Sequence, residues 1–190
     1  MPARVRGPVD LDALLRSRIV DVPDFPLPGV VFKDISPLLA DHVAFAGAVD
    51  AIIAHWRGPD GSGTVDKVVG VEARGFILAA PVAYHFGAGF VPVRKQGKLP
   101  LATHEEEYDL EYGTNVLQVH QDAFEPGDRV LIVDDVLATG GTAAAAARLV
   151  AAAGADLVGL SVLLELEFLA GRQAFTVAQP GVDVHALLTY

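Results

Sequence analysis

The sequence predicts an α/β fold built on a doubly wound, mostly parallel sheet. Short β-branched runs without polar alternation, such as Val130–Val133, suit strands buried on both faces. Stretches with helical apolar spacing stand between these runs, and such alternation closes most simply as parallel β-α-β units. Short glycine-containing loops separate most of the elements, as expected for units of this kind.

Taken in order, Asp10–Ile19 carries Leu11, Leu14, Leu15 and Ile19 on one stripe, the pattern of a short amphipathic helix. Asp21–Gly29 holds three prolines, which predicts an extended, rigid connection. His42–Trp56 is a helix, with Val49, Ile52, Ile53 and Trp56 at i, i+3, i+4, i+7. Gly58–Gly63 is a loop, Lys67–Val71 a strand, Gly75–Phe86 a helix and Phe90–Arg94 a strand. Pro100–Gly113 is polar and acidic with no steady period, so a mobile loop or ribbon is expected there. The 97–115 excursion is the longest in the chain, and long loops are usually functional. Val116–Val119 and Val130–Val133 are strands, Thr142–Ala153 a helix and Leu157–Leu164 a strand.

A chain of 190 residues is expected to form a single domain over 1–190 with a sizeable core. There is no cysteine, which excludes disulfides, thiolate nucleophiles and Cys-based zinc sites. The longest apolar stretch, Ala143–Ala155, is interrupted by Arg148 and is too short to span a bilayer. The N-terminal region lacks the apolar core of a signal peptide and carries Asp10 and Asp12, so a cytoplasmic protein without membrane association is expected. A net charge of −10 argues against a nucleic-acid partner. Against that background, Arg94-Lys95-Gln96-Gly97-Lys98 concentrates three cations, either as a solvated loop or as a local well for a polyanion.

The most informative stretch is Val130-Leu-Ile-Val-Asp-Asp-Val-Leu-Ala-Thr-Gly-Gly-Thr142. Asp134 and Asp135 are expected at the carboxyl end of the strand, where open α/β sheets bind ligands. Thr139-Gly140-Gly141-Thr142 then offers hydroxyls and unobstructed amides at the start of a helix, a ready anion site. Carboxylates beside an anion cradle suggest a sugar phosphate. Receiver domains carry an acid pair near their first strand, not at residue 134, and no Gly-x-x-x-x-Gly-Lys-[Ser/Thr] is present to support a P-loop.

These thirteen residues resemble the binding motif for 5-phosphoribosyl-1-pyrophosphate (PRPP) of the type I phosphoribosyltransferases. Four further blocks follow the same family in order, so the resemblance spans about residues 11–172. Asp21–Ser36 is similar to an adenine-specific N-terminal hood, at about 1–36. Val71-Glu72-Ala73-Arg74-Gly75-Phe76 resembles the pyrophosphate loop, and the family pattern implies a non-proline cis peptide there, expected between Ala73 and Arg74. Val93–Pro100 with Tyr108–Gly113 resembles the adenine branch, and Leu164–Arg172 is similar to a further block of the family.

The resemblance implies transfer of the phosphoribosyl group of PRPP to adenine. It implies that Asp134 and Asp135 accept hydrogen bonds from the ribose hydroxyls, and that Ala138, Thr139, Gly140, Gly141 and Thr142 hold the 5′-phosphate, with Tyr112 near it. Arg74, Arg94, Lys95 and Lys98 take the pyrophosphate, part of this cluster being contributed across a homodimer interface. Val31, Phe32 and Lys33 contact adenine, the outer two through backbone, with Leu166 on the other face of the base. Glu111 meets the imidazole side of adenine near N7, as proton donor or acceptor. Mg²⁺ is the implied cofactor, held mainly by substrate oxygens and water rather than by a protein ligand set. Two rivals share the acid pair: an oxopurine phosphoribosyltransferase and a PRPP-sensing regulator. The Phe32 block and Leu110–Gly113 favour adenine; residues 1–20 leave no room for a helix-turn-helix ahead of the hood.

Overall fold

The structure is a computed structural model that describes residues 10–58, 65–109 and 114–190. The chain divides into two compact units, Met1–Ala51 and Ile52–Tyr190. The first unit extends past the 1–36 assigned to the hood.

In the N-terminal unit, Asp10 caps helix α1 (Leu11–Arg16) by accepting from the Ala13 amide at 3.3 Å. The helix stops short of Ile19, because the Ser17 hydroxyl turns back onto the Leu14 carbonyl at 2.7 Å. The proline-rich stretch is not simply an extended connection. Strands β1 (Val20–Pro23) and β2 (Val31–Asp34) pair antiparallel, with Val22 opposite Phe32 and Asp21 opposite Lys33. Asp24, at φ +57, and Gly29, at φ +87, reverse the chain between them, and the Gly29 amide donates to the Asp24 carboxylate at 2.7 Å. Helix α2 (Ser36–Ala40) follows, and α3 (His42–Trp56) starts in this unit and continues past Ala51. Leu15, Ile35, Leu38, Ala44 and Ala48 of this unit are buried.

The larger unit is a seven-stranded sheet in the order β5-β6-β4-β3-β7-β8-β9. Its strands are β3 (Lys67–Val71), β4 (Gly89–Lys95), β5 (Thr103–Asp109), β6 (Thr114–His120), β7 (Arg129–Leu137), β8 (Asp156–Glu165) and β9 (Asp183–Thr189). Five are parallel; β6 adds antiparallel to β4, and β5 pairs with β6 as an antiparallel ribbon. Over 103–109 the acidic excursion is therefore a ribbon rather than a mobile loop, paired in register with β6 from Thr103↔His120 to Asp109↔Thr114; Leu110–Gly113 lie outside the described residues.

Helix α4 (Gly75–Phe86) links β3 to β4, and α5 (Gly141–Ala152) links β7 to β8. The two crossovers run in opposite directions from the β3/β7 centre, so right-handed connections put the helices on opposite faces. Packing agrees: Val69, Val71, Val130 and Ile132 cluster with the buried alanines of α5, while Gly70 faces Ala79 of α4. Helix α6 (Gly171–Ala178) and strand β9 complete the unit. Among the described residues no helix is long and apolar enough to cross a membrane.

Candidate active site

Where the winding of an α/β sheet reverses, the loops at the carboxyl ends of the central strands diverge and leave a crevice. Here the reversal lies between β3 and β7, so the loop entering α4 and the loop entering α5 border one crevice. All the candidate residues on these two loops are thus brought together by topology.

Strand β7 runs further than expected. Its pairing with β8 continues through Asp134↔Val162 to Leu137↔Glu165, so the acid pair lies within the strand and not at its end. The parallel neighbour supplies ladder partners that the local sequence does not reveal. Gly75, at the start of α4, makes room for Asp134: a Cβ there would lie 2.6 Å from Asp134 Oδ1. Arg74 Nε lies 2.7 Å from Asp135 Oδ2, and that buried oxygen accepts no hydrogen bond.

Burial pushes the Asp134 carboxyl well above the ordinary range, and the neighbouring Asp135 charge adds to this. Burial also raises Asp135, against the opposing pull of Arg74. Asp134 Oδ1 accepts from the Asp135 amide at 2.9 Å. Two close carboxyls with oxygens still able to accept suit the hydroxyls of a ribose.

The non-proline cis bond is in the β3–α4 loop, but it joins Glu72 to Ala73 rather than Ala73 to Arg74. The Ala73 carbonyl already accepts from the Phe76 amide, and Arg74 has helical dihedrals, so the helical turn begins at Ala73 and the bend precedes it.

Glu72 was not among the candidate residues, yet it organises the cations. Its buried carboxylate accepts from Lys98 Nζ at 2.5 Å, Arg94 Nε at 3.2 Å and the Lys95 amide at 3.1 Å. Burial would raise its pKa, but these three donors together outweigh that and hold it below the usual range. Arg94 also donates to the Lys98 carbonyl at 3.1 Å. An acid two residues before Arg74 in a loop otherwise marked by cations is the one sequence signal that could have disclosed it.

Ala138–Thr142 wraps a cavity of about 60 Å³ lined by Val136–Ala143. Gly140 takes φ +86, a conformation that favours glycine, and no side chain caps α5. The first amides of α5 are therefore left to an external acceptor.

In the N-terminal unit Phe32 packs edge-on against Phe25, with ring centres 5.2 Å apart, and Lys33 pairs with Asp21 at 2.7 Å. Val31 is exposed. In the larger unit the Leu166 amide donates to the Leu137 carbonyl at 3.0 Å, which ties that residue to the start of the 138–142 loop. Glu111 and Tyr112 lie outside the described residues.

Residues 38–173 match the phosphoribosyl transferase domain. The adenine phosphoribosyltransferase of Acidothermus cellulolyticus is 62% identical over 87% of this chain and 91% of its own length. The crystal structure of the adenine phosphoribosyltransferase from Rhodothermus marinus superposes with a TM-score of 0.86 at 48% identity, covering 95% of this chain and 98% of that one. That from Saccharomyces cerevisiae, complexed with an imino-altritol bisphosphate and adenine, gives 0.86 at 36% identity, covering 94% and 98%. The chain belongs to the phosphoribosyltransferase family, with the type I fold. Within that family it groups with the adenine phosphoribosyltransferases.

Proposed function

We infer that the chain is a purine-salvage enzyme that transfers the 5-phosphoribosyl group from PRPP to adenine, giving AMP and pyrophosphate. The observation that carries this reading is the meeting, at one switch point, of an acid pair, Arg74 and an uncapped glycine-rich helix start. Relatives of the same family bear the adenine name along nearly their whole length.

In the reaction, adenine N9 forms a bond to the ribose anomeric carbon as the bond to the pyrophosphate oxygen breaks, and the bonding pair leaves with pyrophosphate. Ala138, Thr139, Gly140, Gly141 and Thr142 hold the 5′-phosphate with amides and hydroxyls, and Tyr112 packs beside it. Asp134 and Asp135 accept from the ribose hydroxyls and stabilise positive charge as it grows on the ring. Arg74, Arg94, Lys95 and Lys98 receive the departing charge. Val31, Phe32, Lys33 and Leu166 contact the base, and Glu111 holds or moves a proton at its imidazole edge.

The carboxylates of Asp134 and Asp135 are hard oxygen donors of the kind that suits Mg²⁺ through water. With that ion held mainly through substrate oxygens and water, the site would gain charge neutralisation of the leaving group. Phosphorylated substrates do not diffuse across membranes, which supports a cytoplasmic place for the reaction. A homodimer is supported by family kinship and by α4, where Ile77 and Tyr84, two turns apart on one side, are both exposed.

The test is pyrophosphate release from PRPP and Mg²⁺ with adenine, guanine, hypoxanthine or xanthine in turn. Turnover with adenine alone is expected; turnover confined to an oxopurine would overturn the reading.

A further inference from the structure

The backbone of the phosphate loop does not rest only on its own strand and helix. It is pressed against the first residue of α6. A Cβ at Gly171 would lie 2.1 Å from the Ala138 carbonyl oxygen and 3.0 Å from the Gly140 amide nitrogen. In return, a Cβ at Gly140 would lie 2.6 Å from the Gly171 carbonyl oxygen. These neighbours are main-chain atoms, so no rotamer change could relieve a substituent.

Neither side of this contact can yield easily. Helix α6 is held by Arg172, whose guanidinium donates through Nε to both oxygens of Glu165 at 2.9 and 3.0 Å and also reaches the Val184 carbonyl. The Glu165 carboxylate is 5% exposed, and Phe175 of α6 is wholly buried. The loop in turn is continuous with β7, which pairs with β8 up to Leu137↔Glu165. Backbone contact between two anchored segments fixes the loop amides in place.

We propose that Gly171 is a positioning residue for the 5′-phosphate: its missing side chain lets α6 abut Ala138–Gly140 and hold their amides where the phosphate binds. This rests on the assignment of Ala138–Thr142 to that phosphate. An added methyl must drive the loop off by about an ångström, and a misplacement of that size costs on the order of a hundredfold in a preorganised site.

The experiment measures the affinities of AMP and of adenosine by equilibrium competition; their ratio isolates the 5′-phosphate. In Gly171→Ala, AMP affinity falls by roughly 10- to 100-fold while adenosine affinity stays within about twofold. Arg172→Lys loosens the guanidinium clamp on a half-exposed side chain and gives a smaller loss with the same selectivity; it decides the matter if Gly171→Ala does not fold. Thr142→Val serves as the control on the loop itself. If Thr142→Val lowers the ratio and neither Gly171→Ala nor Arg172→Lys does, the role of Gly171 is overturned and the phosphate assignment stands. If Thr142→Val leaves the ratio unchanged, the assignment falls and Gly171 with it. Parallel weakening of AMP and adenosine in the Gly171 variant also overturns the proposal.

Discussion

Arg74 Nε stands 2.7 Å from Asp135 Oδ2, joining the loop after β3 to the strand that carries the acid pair. The arginine is 40% exposed and the aspartate 8%. The contact thus links an outward-reaching cation to an inward carboxylate across the switch point. A guanidinium so placed can hold the carboxylate with one edge and turn another towards pyrophosphate. Arg74→Lys keeps the charge but loses that planar fork. It is expected to lower kcat/KM for PRPP by roughly 10- to 100-fold, about 1.4–2.7 kcal/mol, with adenine affinity unchanged. Steady-state kinetics with each substrate varied in turn checks this.

The acid pair is bought at the cost of stability. Because burial and Asp135 raise the Asp134 pKa above its unfolded value, the folded state holds its proton to higher pH than the unfolded chain does. Stability therefore falls as pH rises from the ordinary carboxylate range through the raised value. Asp134→Asn removes this penalty and is expected to raise Tm at neutral pH by about 2–4 °C per kcal/mol relieved, while turnover drops. The gain should vanish in acid, where Asp134 is already protonated. Calorimetry at pH 7.5 and pH 4 gives the comparison; a lower Tm for the variant at neutral pH contradicts it.

Glu72 has the opposite sign. Burial is outweighed by Lys98, the Lys95 amide and Arg94, so its pKa is depressed. Its contribution to stability is present above the unfolded glutamate value and is lost as pH falls through the depressed one. Glu72→Gln, which leaves the cations facing an amide, is expected to destabilise the protein by about 1.5–3 kcal/mol at neutral pH. The difference from the parent should shrink in acid. Urea unfolding at the two pH values measures it.

If Glu111 acts at the imidazole edge as proposed, Glu111→Ala is expected to cut kcat by roughly 10²–10⁴ and leave PRPP affinity nearly intact, since it would act on proton position rather than on the sugar phosphate. Single-turnover kinetics with saturating PRPP separates the two effects. An unchanged kcat removes Glu111 from the mechanism.

His185, on β9, offers a test away from the crevice. Burial lowers its pKa to about 4, and the His55 ring stacked at 3.9 Å adds to the effect. Its Nδ1 lies 3.0 Å from the Ser161 hydroxyl. Between about 6.5 and 4 the unfolded chain takes up a proton that the folded one refuses, so stability declines as pH falls across that interval. Imidazole NMR should show His185 titrating near 4, against an ordinary midpoint near 6.5 if the burial argument is wrong.

Much of this was legible in the chain itself, and the reason is local. The helices His42–Trp56 and Gly75–Phe86 and the strand Lys67–Val71 match their apolar patterns end to end, because burial of one face is written into the spacing of neighbouring residues. The acid pair, the glycine-rich 138–142 loop and the 94–98 cations are each contiguous and carry their chemistry in their order. What the tertiary structure decided lies between distant segments. The β1–β2 pairing, the extension of β7 beside β8, the Glu72 contact with Lys98 and the meeting of Gly171 with Ala138 each join residues whose own surroundings say nothing of the partner. The cis bond fell one residue from its expected place for a similar reason, since its position follows from where α4 begins. Sequence by itself determined which residues carry charge, hydroxyls and unobstructed amides. Only the fold decided which of them meet, because hydrogen bonds and steric contacts depend on positions within a few tenths of an ångström, and packing across the whole unit sets those positions.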